Sequence, residues 1–316
     1  MGTLLATLSQ MAVLFSFIFI GWLLAKVGVV QSSASGVLAK LENNLFIPAL
    51  VLGTFMNNFS VADIGPAWKL FVISCVITVF MAFVAVFISR AVTRDKYIQS
   101  VFTYGLAFAN FGFMGNAVVK EVFPEFFDLY LIFTLPLWML IYLWGVPYLL
   151  TPAEDGKRTL KSSLKSFINP MFISMLVGMV LGLTAVKIPS WINQVVTVSG
   201  DCMSPVAMLL TGITLSTVDF KKILRQVNIY VVSFIRLIII PAAALGIIYF
   251  IPTIPKEFAV CIICSLAMPL GLNTVVIPSA YGKDTSVAAG MTVISHILSC
   301  ATIPLVFYVM TLMLKF

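Results

Sequence analysis

Ala107-Phe-Ala-Asn-Phe-Gly-Phe-Met-Gly-Asn-Ala-Val-Val119 and Leu266-Ala-Met-Pro-Leu-Gly-Leu-Asn-Thr-Val-Val276 lie half a chain apart and read as imperfect copies of each other. Each belongs to an apolar, membrane-length segment interrupted by Gly, Asn or Pro, and each resumes with Asn-(Ala/Thr)-Val-Val. In hydrocarbon an unpaired backbone group costs several kcal/mol, so a broken helix survives only where protein, ligand or water satisfies the freed groups. Matching breaks in two halves of a chain are the sequence sign of a binding site near the membrane midplane, and they point to a carrier.

Composition agrees with a bilayer setting. The chain is 61% hydrophobic and only 10% charged, with a mean hydropathy of +1.09, too little polar surface for a soluble domain of this length. Ten stretches approach the roughly 20 residues needed to cross the hydrocarbon core: 8–26, 36–57, 67–89, 97–120, 128–150, 167–186, 195–217, 227–251, 258–281 and 285–314. The first lacks a basic leader and has the length of a span, so it reads as a helix rather than a cleavable signal. An all-α membrane protein of ten transmembrane helices, with no separate soluble domain, is expected.

Of the 19 Lys and Arg, 13 fall on the side reached after odd-numbered spans, five fall on the other, and Arg236 lies within a span. The positive-inside rule makes the richer side cytoplasmic and both termini external, at a plasma (inner) membrane. The net charge of +7 is thereby explained without nucleic acid. Cys75, Cys202, Cys261, Cys264 and Cys300 all fall in predicted spans, where a thiol behaves as a small apolar residue. The Cys261-x-x-Cys264 pair lacks the further ligands a metal needs.

Five spans precede the polar stretch 151–166 and five follow it, so the second half is inverted relative to the first. The expected organisation is residues 1–150 as the first repeat, 151–166 as a cytoplasmic linker and 167–316 as the second repeat. Pro48 followed by Asp63 pairs with Pro205 followed by Asp219, and Pro147 with Pro304. Leu160, Leu164 and Phe167 have helical spacing among basic residues; the linker either rests on anionic lipid or is an ordinary positive-inside loop.

If spans 4 and 9 cross, four half-helix ends converge. Their N-terminal ends favour an anion and their C-terminal ends a cation. Asn110, Asn116 and Asn273 add uncharged donors and acceptors. Gly112, Gly115 and Gly271 either permit close backbone approach to a ligand or serve tight helix packing. Pro269 removes an N–H and shapes the break.

Four ionisable groups at membrane depth are candidates for coupling or charge relay. Arg236, near the middle of span 8, either concentrates anions or ties the carbonyls of a broken helix. Asp201, four residues before Pro205 as Asn44 is before Pro48, either carries a proton or Na⁺ or is a paired buried acid. Glu42 either takes part in coupling or extends to the cytoplasmic interface. His296, the sole histidine, either switches protonation or packs through a hydrogen bond.

The order and spacing of Gly21-Trp-Leu-Leu-Ala-Lys-Val-Gly28, Asn44-Leu-Phe-Ile-Pro48, Asn110-Phe-Gly-Phe-Met-Gly115, Asn169-Pro170 with Gly178 and Gly182, Pro205 with Gly212, and Ala267-Met-Pro269 through Asn273 to Tyr281-Gly-Lys-Asp284 resemble the auxin efflux carrier family. That family belongs to the larger group of bile-acid, arsenite and riboflavin transporters. The resemblance implies ten helices in an inverted 5+5 repeat, with spans 1, 2, 6 and 7 as a scaffold. Spans 3–5 and 8–10 would form a transport domain containing the crossed, discontinuous helices 4 and 9. It further implies elevator-type alternating access, a small carboxylate substrate such as malate, malonate or an auxin-like acid, and a homodimer as in the plant exporters. By position, Asn110 and the Pro269–Asn273 segment take the crossover role. Many members have Pro where this chain has Asn116, which restores an N–H and adds an amide.

No prosthetic cofactor or metal is expected, Na⁺ or H⁺ being the candidate coupling ions. An enzyme is not expected: Ser295 and His296 are adjacent and point to different helix faces, and no Gly-x-Ser-x-Gly context occurs. A channel or uncoupled anion pore, and a Na⁺-coupled symporter of the bile-acid kind, are the alternatives to a carrier of organic anions.

Overall fold

Prolines and a bilayer-length apolar pattern together dictate how the helices run and where they give way. The computed structural model describes residues 2–60, 67–151, 170–217 and 225–314. Residues 152–166 of the expected linker, together with Leu160, Leu164, Phe167, Asp63 and Asp219, lie outside the described residues.

The described chain is helical. In order come α1 (Gly2–Lys26), α2 (Ala34–Leu41), α3 (Ile47–Asn58), α4 (Trp68–Val92), α5 (Lys96–Ala107), α6 (Asn116–Val122), α7 (Phe127–Leu140), α8 (Pro170–Thr184), α9 (Ser190–Asp201), α10 (Met203–Ser216), α11 (Val227–Phe234), α12 (Ile240–Phe250), α13 (Lys256–Leu266), α14 (Asn273–Ala280) and α15 (Ser286–Leu314). Among the described residues, five helical runs are long and apolar enough to cross a membrane: Trp68–Val92, Pro124–Leu150, Ser190–Ser216, Val227–Phe250 and Ser286–Leu314.

Wider π turns occupy Glu42–Phe46, Ile141–Leu150 and Ile235–Ile239. Each contains the residue four before a proline: Asn44 before Pro48, Leu143 before Pro147 and Leu237 before Pro241. A proline has no N–H for that carbonyl and its ring collides with it, so a locally expanded turn lets the helix continue. The fourth π turn, Phe111–Gly115, restarts a helix after a break.

The helix packing follows from these elements. α1 runs along α10, and α3 packs on α8 and α9. Small residues make these crossings close: a Cβ on Gly212 would meet the Trp22 nitrogen at 2.8 Å, and one on Gly178 the Phe55 Cβ at 2.9 Å, the device membrane helices use in place of a hydrophobic driving force. Elsewhere α4 packs on α5 and α7, α11 on α15, and α13 on α7 and α15. α4 turns Val76, Val79 and Phe83 outward, Val76 at 65% exposure, the apolar face that lipid covers.

Candidate functional site at the crossing of two broken helices

α5 ends at Ala107 because Phe108 turns extended, with φ −119° and ψ 100°. α13 ends at Leu266, and residues 267–272 run without regular structure before α14. The two interruptions meet. Ala109 and Leu270 face each other in an antiparallel bridge, and the Asn110 N–H donates to the Pro269 carbonyl at 2.8 Å. Beyond the crossing, Met114 and Gly115 donate their N–H groups to the Asn110 carbonyl, so the helix restarts on the far side. At the second restart the Thr274 N–H donates to the Gly271 carbonyl and the Val275 and Val276 N–H groups to the Leu272 carbonyl, whereas the last carbonyls of α5 and α13 have no intrahelical donor.

Arg236 deals with the carbonyls. It is 1% exposed, carried by the π turn before Pro241, and its guanidinium reaches both stopped helices. Nε donates to Met268 O at 3.0 Å, Nη1 to Leu106 O at 3.0 Å and Nη2 to Ser265 O at 3.3 Å. A fixed cation thus sits at the two negative helix ends. Of the two expectations for Arg236, the tie to backbone carbonyls is the one the contacts describe.

The asparagines flank the crossing. Asn273 donates Nδ2 to the Tyr104 hydroxyl at 2.8 Å, and Asn110 Nδ2 lies 3.0 Å from His296 Nε2. The side-chain oxygens of Asn110, Asn273 and Asn116 are buried and find no partner among the described residues. Tyr104, Ala109, Phe111, Gly112, Trp138, Ile141, Gly271, Leu272 and Asn273 enclose a small cavity beside the bridge. Gly112 and Gly271 line it, while Gly115 lies off it against Tyr130 and Met268. A Cβ on Gly271 would meet the Phe108 carbonyl oxygen at 2.8 Å, so only glycine permits this approach. Pro269 is buried and contributes its carbonyl to the crossing.

Several residues emerge that the sequence pattern did not single out. The Tyr130 hydroxyl donates to the Phe111 carbonyl at 3.0 Å. Trp138 packs edge-on against Phe111 at 5.0 Å and stacks with Tyr142. A tyrosine inside a span needs a partner for its hydroxyl, and that rule alone would have marked Tyr104 and Tyr130.

The remaining ionisable candidates lie apart. Asp201 is exposed at the end of α9 and lines a separate crevice with Leu50, Thr54, Asn57, Asn58 and Leu131. Asn44 is exposed and bonds its own helix at the Lys40 carbonyl. The expectation that Glu42 extends to the cytoplasmic interface is overturned. Its side chain is 0% exposed and neither carboxyl oxygen has a partner among the described residues, because the π turn packs among α3, α8, α9, α10 and α14.

A comparison with curated proteins gave no match. The profile of the membrane transport protein family, in contrast, matches residues 6–308, nearly the whole chain. With its apolar helices the chain is an integral membrane protein and a transporter rather than an enzyme, and it belongs to the membrane transport protein family, that of the auxin efflux carriers.

Proposed function

We propose that this protein is a secondary carrier of small organic anions, carboxylates of the size of malate, malonate or an auxin-like acid, working by elevator-type alternating access. The observation that carries the reading is the crossing: two helix restarts meet beside a cavity, in a place where a permanent cation already answers the opposing carbonyls. With the negative helix ends occupied by Arg236, the ends left for a guest are the positive ones. The same feature weighs against a Na⁺-coupled symporter using these carbonyls, since Leu106, Ser265 and Met268 are already engaged.

In this reading the ten apolar segments are spans of an inverted 5+5 repeat, with both termini outside the plasma membrane. α1, α2–α3, α8 and α9–α10 form the scaffold, and α4–α7 with α11–α15 form the moving domain. The crevice lined by α3, α9 and Leu131 of α7 lies between this scaffold and this moving domain.

Uptake of labelled malate, malonate and indole-3-acetate into proteoliposomes tests the proposal. Saturable, counterflow-capable uptake is expected, unchanged when Na⁺ is replaced by K⁺ and weakened at least tenfold in Asn110→Ala and Asn273→Ala. Non-saturating currents without exchange would make the protein a channel instead.

A further inference from the structure

We propose that His296 is the proton-coupling group of this carrier, and that it acts by deciding which end of the Asn110 amide faces the crossing. The inference rests on the crossing being the anion site. His296 is buried on α15, and its Nδ1 lies 2.7 Å from the Thr292 carbonyl oxygen. A carbonyl only accepts, so Nδ1 carries the hydrogen. In the neutral ring Nε2 then holds a lone pair, and the group 3.0 Å away on Asn110 must be its NH₂. That leaves Oδ1 of Asn110 as the buried, unpartnered end. The buried side-chain oxygens of Asn110 and Asn273 are then both acceptors without a partner among the described residues, that of Asn273 belonging to a cavity-lining residue, and acceptors repel a carboxylate.

A proton on Nε2 reverses this. Imidazolium has two N–H groups; one stays on Thr292 and the other now points at the Asn110 NH₂, donor against donor. Turning the amide by half a rotation restores the bond, with Nε2–H donating to Oδ1. The NH₂ then occupies the place of the oxygen, and an acceptor has become a donor. One proton enters from water, no covalent bond other than N–H forms, and one carboxylate gains a donor and a counter-charge.

The surroundings link the proton to the anion. Of the elements packed on α15, the π turn of span 8 brings Arg236, already bonded to three carbonyls, and α13 brings the buried thiols of Cys261 and Cys264. α13 also carries Lys256 and Glu257 in its first turn, at the end remote from the break. Tyr230 of α11, Tyr249 of α12 and Lys26 of α1 are exposed, and α10 and α14 carry no titratable group. Cys300 lies one turn along α15. Among the described residues of the elements packed on α15 the one carboxylate is Glu257, at the far end of α13, so none there balances a buried imidazolium. A carboxylate guest supplies that charge, so proton and anion enter together.

Because the chain has one histidine, protein labelled with ¹⁵N-histidine gives a single imidazole pair by NMR. The purified carrier in nanodiscs should show Nδ1–H with bare Nε2 when empty. On addition of malonate, above the pH at which malonate itself titrates, both nitrogens should become protonated. Calorimetry in buffers of different ionisation enthalpy should count about one proton taken up per malonate, and affinity should rise about tenfold per unit fall in pH. His296→Gln should bind malonate with no pH dependence. Malonate binding with the histidine still neutral and no proton uptake overturns this inference alone. No binding of malonate, malate or indole-3-acetate to the unaltered protein overturns the anion site, and this inference with it.

Discussion

Arg236 holds three backbone carbonyls that stopped helices would otherwise leave unpaired inside a membrane. Each buried polar group left without a partner costs about 1–3 kcal/mol, and the planar five-donor fork cannot be imitated by a point charge. Arg236→Met should therefore lower the thermal unfolding midpoint in detergent by many degrees, and Arg236→Lys should recover only part of the loss. A midpoint unchanged in the Met variant would mean that the carbonyls are satisfied in another way. Glu42 poses the opposite case. Lys40 on α2 and Asp201 on α9 are the titratable groups of the described elements packed around it, and both are exposed. A carboxylate without a cation costs far more in such a place than a neutral group, which makes the neutral isostere the informative substitution. Glu42→Gln, equal in shape and neutral, should leave the unfolding midpoint unchanged or higher. A marked fall would show that the carboxyl bears a charge matched by a partner.

Helix crossings set by glycine make a sharper prediction, because neighbouring glycines differ in what surrounds them. At the α1–α10 contact a Cβ on Gly212 would meet the Trp22 nitrogen at 2.8 Å, whereas a Cβ on Gly36 in α2 meets nothing within 4 Å. Gly212→Val should abolish recovery of monodisperse protein on size-exclusion chromatography. Gly36→Ala should raise stability by about 0.5–1 kcal/mol, the ordinary helical gain over glycine. The contrast also shows what could be read from the chain alone. Apolar segments of bilayer length are visible in sequence because the bilayer fixes their length, and the five helical runs long and apolar enough to cross a membrane among the described residues each overlap a predicted stretch. The breaks at Asn110 and Pro269 were visible because Gly, Asn and Pro interrupt otherwise uniform apolar runs. Azimuth was not. A helix apolar on all sides carries no periodicity to say which face meets a neighbour, so the burial of Glu42 was missed. The choice between two roles for Arg236 stayed open for the same reason. The Asn273–Tyr104 bond joins residues 169 apart in sequence and leaves no local trace.

Close, glycine-lined contacts join α1 to α10 and α3 to α8 and α9, and further contacts link α4–α7 and α11–α15, while α1 on α6 and α15, α10 on α15, α3 on α7 and α2 on α14 pack from one set to the other. The proposed elevator movement makes opposite demands on contacts inside a group and contacts across the divide. Those inside a group must persist through the cycle, and those across the divide must break and re-form as the crossing travels between the two faces of the membrane. In a variant without the five native cysteines, a cysteine pair joining α3 to α8 should form a disulfide that leaves malonate exchange at its uncross-linked rate. A pair joining α2 to α14 should, on oxidation, bring exchange down to the background of empty liposomes, and reduction should restore it. Recovery on reduction separates arrest from damage. If the α2–α14 disulfide forms fully and exchange continues, the two groups do not slide past one another, and the substrate must pass a fixed crossing by the opening and closing of side chains alone.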